Sequence, residues 1–361
     1  MKKIMFYINA IHDGGAERVM INLADYFSRQ GYKTILVTSF RDTWEYTVPN
    51  AVKRITLEEH EIKQSKLKRN ITRIKRLRKL CKDEKPDILV SFMAEPNFRA
   101  ILATWGLPVK NLISVRNDPD KEYAGRVGHI VGKYLLPFAD GCVFQTKEAK
   151  NWFPKRLQKK SRIIYNAVKE DFYHVERHPV PGEIVTCGRL EEQKNHALLI
   201  AAFSKVVERY PEARLKIYGV GSLCGKLQKQ IDALGLHEKA FLMGATNHVE
   251  KVLETADVFV LSSDFEGMPN ALMEAMAAGV PCISTDCPCG GPRELFGDEM
   301  AVYLTSINNS SELAKRLNAF YCLNESERAQ VEKKIKKRSK LFMPDLVNLA
   351  WFEYVENLTD L

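Results

Sequence analysis

Residues 257–286, DVFVLSSDFEGMPNALMEAMAAGVPCISTD, contain one complete strand–loop–helix–strand pattern. DVFVLSS and CISTD are short apolar runs, which is typical of strands buried in a parallel sheet. The Ala- and Met-rich segment between them is predicted to be a helix, with Pro269 at its entry and Asn270 as its N-cap. Such a unit brings Glu266, in the loop, and Glu274, in the helix, to the carboxyl edge of the sheet.

The same alternation of strands and helices extends through almost the whole chain. It loses its periodicity once, in KEDFYHVERHPVPGE, and 361 residues exceed the usual size of a single core. We therefore predict an α/β protein with two doubly wound parallel-sheet domains, residues 1–168 and 169–344, facing each other across a ligand-binding cleft. A C-terminal helix over 345–361 is expected to dock back on the N-terminal domain through Trp351, Phe352 and Tyr354.

Positive charge is concentrated in the first half of the chain. Residues 1–165 contain 32 Lys and Arg against 17 Asp and Glu, a net charge of +15. The remaining residues contain 22 against 28, a net charge of −6. A basic domain joined to an acidic one suggests that only the first meets a polyanionic surface.

The most basic segment, 63–85, is open to two compatible interpretations. Four of its apolar residues recur at helical spacing: Leu67, Ile71, Ile74 and Leu77. This spacing is typical of a helix packed on a core, with its Lys and Arg residues in solvent. The same basic face can also lie on anionic lipid. A second basic segment, 147–162, includes aromatic residues, as sequences at the bilayer interface do. We find no zinc-finger, helix-turn-helix or RNA-binding signature that would favour nucleic acid.

Several other classes of protein are disfavoured by the sequence. No apolar run approaches the ~20 residues needed to span a bilayer, and the first residues lack the features of a signal peptide. Eight scattered cysteines do not suggest a disulfide framework, and the spacing of Cys282, Cys287 and Cys289 fits no zinc site. We therefore expect a cytoplasmic protein in which these three cysteines are small buried residues near a loop.

Two loops that follow predicted strands carry groups suited to phosphate. Gly14 and Gly15 precede a helix after the first strand, where backbone N–H groups can approach a phosphate closely; a simple tight turn is the alternative. After EIVTCG, Arg189 and Lys194 can clamp a diphosphate, and Asn195 is predicted to be the N-cap of the helix that follows. Because Glu191 and Glu192 lie between the two cations, a solvated loop of mixed charge is the alternative.

The loop and helix start at 266–274 favour a sugar ligand. Backbone donors of residues 268–271 lie at a positive helix end, between the carboxylates of Glu266 and Glu274. Hydroxyls need acceptors and phosphates need donors, so the arrangement suits a sugar nucleotide. Gly290, Gly291 and Glu294 form a further close-approach loop at the same edge. GVGSLCG (219–225) misses the glycine spacing of dinucleotide-binding loops.

The motifs together resemble those of a known family. GGAERV (14–19), GRLEEQKN (188–195), GVGS (219–222), the stretch 256–286 and GGPREL (290–295) are similar to those of retaining family 4 glycosyltransferases of the GT-B fold. Glu266 and Glu274 match that family's Glu-x7-Glu signature. SVRNDP (114–119) is similar to a motif of members that build bacterial capsule, exopolysaccharide or O-antigen units.

The resemblance implies roles for individual residues. Arg189 and Lys194 would bind the donor diphosphate and stabilise the leaving group, and Glu274 would hold the ribose. Glu266 would hold the transferred sugar without acting as a nucleophile. The other donor-binding positions implied are Gly14, Gly15, Gly188, Gly267, Met268, Pro269, Asn270 and Glu294. Such enzymes usually need no metal, because Arg and Lys supply the positive charge.

The acceptor side is less well defined. Many relatives place a histidine after the strand equivalent to DILVSF, whereas here MAEPNF follows, with Glu95 and Asn97. The remaining acceptor-side candidates are His12, Arg116, Asn117 and Asp118.

The resemblance implies transfer of a hexose-type sugar, with retention, from a nucleoside-diphosphate sugar to a lipid-linked saccharide. A UDP-sugar is the first candidate donor. The acceptor would lie at the inner face of the plasma membrane, where the basic N-terminal domain would bind anionic lipid. A GT-B sugar-nucleotide epimerase and a non-catalytic nucleotide-sugar- or polyanion-binding protein remain as alternatives.

Overall fold

The computed structural model describes residues 1–12, 14–60 and 65–360. Lys63 and Gln64, which open the predicted basic helix, lie outside the described residues, as does Leu361 at the end of the predicted C-terminal helix. The chain divides into two compact units: Met1–Asn166 with Asp345–Leu361, and Ala167–Pro344. We call these units the N-terminal and the C-terminal domain.

The N-terminal domain is built on a seven-stranded parallel sheet. Its strands are β1 Lys3–Ile8, β2 Lys33–Thr38, β3 Lys53–Thr56, β4 Ile88–Phe92, β5 Lys110–Ser114, β6 Gly141–Phe144 and β7 Ser161–Ile163. They lie in the order β3-β2-β1-β4-β5-β6-β7. The central strands are buried along nearly their whole length, as expected for a sheet covered on both faces.

Helices cover both faces of this sheet. The domain's helices are α1 Gly15–Arg29, α2 Lys66–Glu84, α3 Ala94–Thr104, α4 Pro119–Glu122, α5 Gly125–Ile130, α6 Lys147–Trp152, α7 Lys155–Gln158 and, at the end of the chain, α15 Pro344–Thr359. A π-helical turn, Val131–Leu135, and a 3-10 turn, Leu136–Phe138, extend α5. Among the described residues, no helix combines the length and the apolar character needed to cross a bilayer.

The strand order decides which helices share a face. From β1 the chain first moves towards β3 and then, from β4 onwards, in the opposite direction. Because parallel crossovers are right-handed, α1 lies on one face, and α2, α3, the α5 segment, α6 and α7 lie on the other. One core cluster accordingly joins Leu77 of α2 and Ala100 of α3 to Met5 of β1.

The C-terminal domain repeats the doubly wound plan with six parallel strands. The strands are β8 Glu183–Cys187, β9 Arg214–Tyr218, β10 Ala240–Gly244, β11 Val258–Leu261, β12 Cys282–Thr285 and β13 Leu304–Thr305, in the order β10-β9-β8-β11-β12-β13. The helices are α8 His196–Val207, α9 Cys224–Ala233, α10 Val249–Thr255, α11 Asn270–Ala277, α12 Gly291–Phe296, α13 Ser310–Tyr321 and α14 Glu325–Ser339. Two doubly wound parallel-sheet domains confirm the predicted fold class.

The basic helix α2 packs on the core over only part of the apolar stripe that the sequence predicts, and its contact with anionic lipid remains a prediction. Leu77 is fully buried, but Leu67 and Ile71 are 73% and 45% exposed, so only the C-terminal half of the predicted apolar stripe faces the core. Arg73 is buried instead, with its Nη2 3.0 Å from Oε2 of Glu58. Arg73 can occupy the inner face of α2 because the carboxylate of Glu58, 15 residues earlier in the chain, neutralises its charge.

The last helix, α15, belongs to the core of the N-terminal domain. The Trp351 ring is fully buried and lies 5.7 Å from that of Phe92. The hydroxyl of Tyr354 accepts a 3.0 Å hydrogen bond from the Cys142 amide. Phe352 contacts Phe27 of α1, with ring centroids 6.0 Å apart. The final helix therefore completes the α1 face of the first sheet.

Candidate active site

An ion pair joins two loops at the carboxyl edge of the C-terminal sheet. Lys194 follows β8 and Glu266 follows β11. Nζ of Lys194 lies 2.5 Å from Oε1 of Glu266, and the two side chains are 17% and 8% exposed. The hydroxyl of Ser263 donates a 2.7 Å hydrogen bond to the same oxygen. Because water is largely excluded, the attraction between these charges is stronger than at an open surface.

Further hydrogen bonds hold the two loops together. The Asn195 side chain donates to Oδ1 of Asp264 at 2.7 Å and accepts from the Leu198 amide at 3.1 Å, so it caps α8 as the sequence predicts. The hydroxyl of Ser262 donates to the carbonyl of Lys194 at 2.9 Å. Lys194 and Glu266 are thus positioned by a network that includes backbone groups on both sides.

Arg189 and Lys194 occupy one loop but differ in environment. Arg189 is exposed, whereas Lys194 is largely buried against Gly188, whose position leaves room for the lysine stem. Glu191, between them, accepts 2.9 Å hydrogen bonds from the amide and the hydroxyl of Ser222. One of the two intervening acids is therefore turned towards the next loop.

Glycines allow the neighbouring loops to pack closely. Gly219 has a φ of +149°, and a Cβ there would lie 1.9 Å from the carbonyl oxygen of Gly188. A Cβ on Gly291 would likewise lie 1.9 Å from the carbonyl oxygen of Gly267. The GVGS loop therefore packs against the backbone of the Arg189 loop, and the GGPREL loop packs against the backbone of the Glu266 loop. Backbone packing explains these glycines without a dinucleotide.

Helix α11 begins one residue earlier than the sequence suggests. Pro269 takes the N-cap position, with φ −75° and ψ 103°, and Asn270 is the first helical residue. The predicted N-cap role of Asn270 is therefore wrong; proline fits here because the N-cap amide has no helical partner to lose. Gly267 and Met268, immediately before it, are buried.

Glu274 faces the end of β8. Its side chain lies on α11 and is almost completely buried, with the residue 6% exposed. Burial, together with the charge of Glu274, raises the pKa of the Cys187 thiol to about 12. The two acids of the Glu-x7-Glu pattern therefore have different neighbours: Lys194 for Glu266, and the β8 terminus for Glu274.

Glu294 lies at the start of α12, on the loop that Gly291 packs against Gly267. Its amide donates to the carbonyl of Gly290 at 2.8 Å, and its own carbonyl accepts from Arg338 at 2.7 Å. The residue is half-buried. The structure thus brings the predicted 290–294 loop into contact with the Glu266 loop through its backbone.

His196 is a buried residue that the sequence analysis did not single out. It begins α8 and is 3% exposed, and its ring nitrogens lie near the backbone of Gly188 and Arg189 without forming a well-aligned hydrogen bond to any described residue. Burial, and the nearby charge of Lys194, lower the pKa of the imidazole to about 4, although the backbone of Gly188 and Arg189 opposes this shift. His196 is therefore a neutral ring beneath the loop that carries Arg189.

The neutral His196 predicts a specific loss of stability in acid. The unfolded chain takes up a proton near pH 6.5, whereas the folded protein does so only near pH 4, so stability should fall as the pH drops between these values. His196→Leu should remove about 3 kcal/mol of this pH dependence. Denaturant unfolding at a series of pH values measures it, with exposed His237→Leu as the control. Equal acid sensitivity in His196→Leu and wild type would contradict the burial argument.

The predicted phosphate loop of the N-terminal domain already holds a carboxylate. Gly14 is the N-cap of α1, and a Cβ there would lie 1.8 Å from Oε2 of Glu17. A phosphate reaching Gly14 or Gly15 would have to displace this side chain. His12 is 52% exposed, and its Nδ1 lies 3.5 Å from Oδ2 of Asp42.

Glu95 and Asn97, both on α3, have contrasting environments. Glu95 bonds to the buried Arg99 and lies 3.3 Å from Nζ of Lys66. Burial opposes ionisation, but the charges of Arg99 and Lys66 outweigh it and lower the pKa of Glu95. Asn97 is fully buried and bonds to the Ser91 hydroxyl and the Ser114 carbonyl, both at 2.9 Å. Asn97 therefore joins α3 to β4 and β5, and its acceptor-side role remains a prediction.

The SVRNDP motif forms a turn with a buried arginine. Arg116 is 8% exposed, bonds to Asn166 and lies with its guanidinium carbon 4.5 Å from the centre of the Phe92 ring. Asn117 accepts from the amide of Asp118 at 2.9 Å, and Asp118 caps α4. Burial lowers the pKa of Arg116 to about 9. The side chains of Arg116, Asn117 and Asp118 therefore stabilise this turn and its surroundings.

Glu122, which follows this turn, was not among the predicted site residues. Burial raises the pKa of its carboxyl to about 7, although nearby amides and Arg116 oppose the shift. In the sequence, Glu122 is marked only by its position six residues after Arg116. That spacing does not indicate that the carboxyl group is buried. Within the described part of the chain, no group of three or more His, Cys, Asp or Glu side chains is placed to hold a metal ion.

Family models match both domains. The Glycosyltransferase Family 4 model matches residues 13–172, and the Glycosyl transferases group 1 model matches residues 173–338. An uncharacterized glycosyltransferase of Methanocaldococcus jannaschii is 31% identical over 64% of this chain and 63% of its own length.

Two other proteins are similar over nearly their full length. The N-acetylgalactosamine-N,N'-diacetylbacillosaminyl-diphospho-undecaprenol 4-alpha-N-acetylgalactosaminyltransferase of Campylobacter jejuni is 28% identical over 97% of this chain and 98% of its own. Anabaena HepE, solved in complex with UDP and glucose, superimposes with a TM-score of 0.80 and 17% identity, over 99% of this chain and 100% of the other.

The comparisons decide between the three functions that the sequence left open. Both family models describe glycosyltransferases, and the Campylobacter relative is a named transferase. These matches support a glycosyltransferase over an epimerase or a non-catalytic binding protein. The two family models meet at residue 172, close to the division between the domains. The chain is therefore a GT-B glycosyltransferase, composed of a Glycosyltransferase Family 4 domain followed by a Glycosyl transferases group 1 domain.

Proposed function

We propose that this glycosyltransferase moves a hexose-type sugar, with retention, from a UDP-sugar to a polyprenyl-diphosphate-linked saccharide. The reaction would extend a bacterial surface polysaccharide at the cytoplasmic face of the membrane. The observation that carries the proposal is the buried ion pair between Lys194 and Glu266. It brings a phosphate-binding cation and a hydroxyl-binding carboxylate to one point of the sheet edge.

Each group has a defined part in the proposed reaction. Lys194 and the exposed Arg189 bind the diphosphate, and they stabilise the negative charge that develops on it. Glu266 and the backbone of residues 267–270 bind the sugar, and Glu274 binds the ribose. The bond from the anomeric carbon to the diphosphate breaks as the acceptor hydroxyl bonds to that carbon. The hydroxyl proton leaves with the nucleoside diphosphate or to solvent.

The choice of donor and acceptor rests on the relatives. HepE was solved with UDP, and the Campylobacter enzyme is named for an undecaprenol-diphosphate-linked acceptor. We propose that neither step requires a metal, because Arg189 and Lys194 supply positive charge beside the leaving group. On this account, EDTA should leave the rate of transfer unchanged.

A donor panel tests the proposal directly. The protein is incubated with UDP-, GDP- and dTDP-sugars; a UDP-sugar should raise the melting temperature most and should be slowly hydrolysed to the sugar with unchanged anomeric configuration. Glu266→Ala should still bind UDP but lose its preference for UDP-sugar over UDP. Isomerisation of the donor without an acceptor, or an inverted product, would overturn the proposal.

A further inference from the structure

The helical segment that follows α4 exposes a row of apolar side chains. Over Gly125–Phe138, Val127, Ile130, Tyr134 and Phe138 recur every three or four residues and are 76%, 58%, 73% and 48% exposed. A surface helix ordinarily turns such a row towards the core. We call these four residues the outward row.

Small residues on the opposite side explain this orientation. A Cβ on Gly128 would lie 2.4 Å from the carbonyl oxygen of Tyr123, and one on Gly132 would lie 2.7 Å from the Trp152 ring. The segment therefore packs on its domain through its backbone at these two positions. Leu136 is the large apolar side chain that the segment buries, and the four residues of the outward row remain on the outer side.

Neighbouring aromatic residues enlarge the apolar surface. Trp105, at the end of α3, is 54% exposed, and its ring centroid lies 5.1 Å from that of Phe138. These two rings border an open hollow of about 500 Å³. Leu67 and Ile71 of α2, also exposed, lie on the same face of the sheet. Trp105 thus extends the outward row beyond Phe138.

Cations surround the outward row. Residues 125–138 include Arg126 and Lys133 and contain no Asp or Glu. The guanidinium carbon of Arg156 lies 4.9 Å from the centre of the Phe138 ring, and Nζ of Lys133 lies 3.6 Å from that of Trp152. Exposed apolar and aromatic side chains bordered by Lys and Arg are the composition of membrane-interface segments.

A second copy of the chain fits this surface less well than lipid does. A two-fold dimer through the outward row would bring Arg126, Lys133 and Arg156 of both copies to one interface. Like charges at such an interface oppose association, whereas anionic headgroups attract the same cations. An exposed apolar patch of this kind needs a partner that is apolar inside and negatively charged at its surface.

We propose that the outward row inserts into the interface of an anionic phospholipid bilayer. The basic segments then act as electrostatic support, and apolar insertion supplies the part of the affinity that salt does not screen. This extends the membrane surface expected from residues 63–85 and 147–162 to a segment that the charge pattern does not mark. It rests on the lipid-linked acceptor of the proposed function.

Vesicle binding by the full chain tests the proposal. Wild type should sediment with vesicles of phosphatidylcholine and phosphatidylglycerol, and a part of this binding should survive high salt. The variant Val127→Ser/Ile130→Ser/Tyr134→Ser should lower the partition coefficient at high salt by at least about tenfold. All three positions are exposed, so the melting temperature should not change.

Matched controls make the result specific. Val180, Leu234 and Met243 are exposed apolar residues of the C-terminal domain, at 48%, 43% and 45%, and their replacement by serine should leave vesicle binding unchanged. The assay needs no donor or acceptor, so an error in the proposed reaction does not affect it. Equal binding of the outward-row variant and wild type would overturn the inference. So would a lipid-free dimer that only this variant dissociates.

Discussion

Replacing Lys194 with glutamine should lower kcat for sugar transfer by about 10²–10³-fold, the usual cost of removing one group that stabilises developing negative charge. Nζ of Lys194 is held 2.5 Å from Glu266 in a site with little access to water. Glutamine keeps most of the length of the side chain but removes the charge, so packing against Gly188 should change little. The measurement is the rate of transfer from the UDP-sugar selected by the donor panel.

A matched lysine separates loss of catalysis from loss of an ion pair. Lys216 also pairs with a nearly buried carboxylate of the same domain, that of Glu183. Lys216→Gln should therefore keep kcat within about threefold of wild type, although it too loses an ion pair. If Lys194→Gln were as active as Lys216→Gln, the ion pair with Glu266 would be structural and the phosphate site would lie elsewhere.

The double variant shows whether the two residues act as a unit. Lys194→Gln leaves the carboxylate of Glu266 with its bond from Ser263 but without its cation. Because an unpaired buried charge is costly, adding Glu266→Gln should restore part of the stability while kcat stays low. The cycle compares wild type, Lys194→Gln, Glu266→Gln and the double variant. Their unfolding temperatures give the coupling of the two residues in folding, and their transfer rates give the coupling in catalysis.

Features that depend on local sequence could be predicted. The strand Val258–Leu261 and the helix Asn270–Ala277 follow from a β-branched run and an apolar stretch, each bounded by turn residues. Asn195 was identified as an N-cap because capping residues have a strong local preference. The parallel sheet then places Lys194 and Glu266 at one edge, because parallel strands deliver their following loops to the same side. Their direct contact could not be predicted, since it joins side chains 72 residues apart.

Features that depend on distant partners could not be predicted. The position of Arg73 among cations predicts a place in solvent, whereas its ion pair with Glu58 makes burial possible. The buried contacts of Asn97 could not be predicted either, because its partners Ser91 and Ser114 lie on two strands that become neighbours only in the sheet. The orientation of Tyr134 depends on how closely Gly132 approaches Trp152. In each case the deciding group lies elsewhere in the chain.

Trp351→Ala should destabilise the N-terminal domain by about 3–5 kcal/mol, the usual cost of truncating a large, fully buried aromatic side chain. The Trp351 ring is 0% exposed and lies 5.7 Å from that of Phe92, at the end of β4. Its removal leaves a cavity between α15 and the sheet. Hydrogen exchange should report the loss at β1 (Lys3–Ile8) and α1 (Gly15–Arg29), far away in sequence, as faster amide exchange.

The same helix provides the control for this prediction. Leu349 and Leu346 are 48% and 54% exposed on α15, so their replacement by alanine should change stability by less than about 1 kcal/mol. Excess UDP should raise the unfolding temperature of the C-terminal domain in all of these variants, because ligand binding stabilises the domain that binds it. If Trp351→Ala were no more destabilising than Leu349→Ala, α15 would be an appendage and not part of the N-terminal core. The chain would then have to complete the α1 face of its first sheet without its final helix.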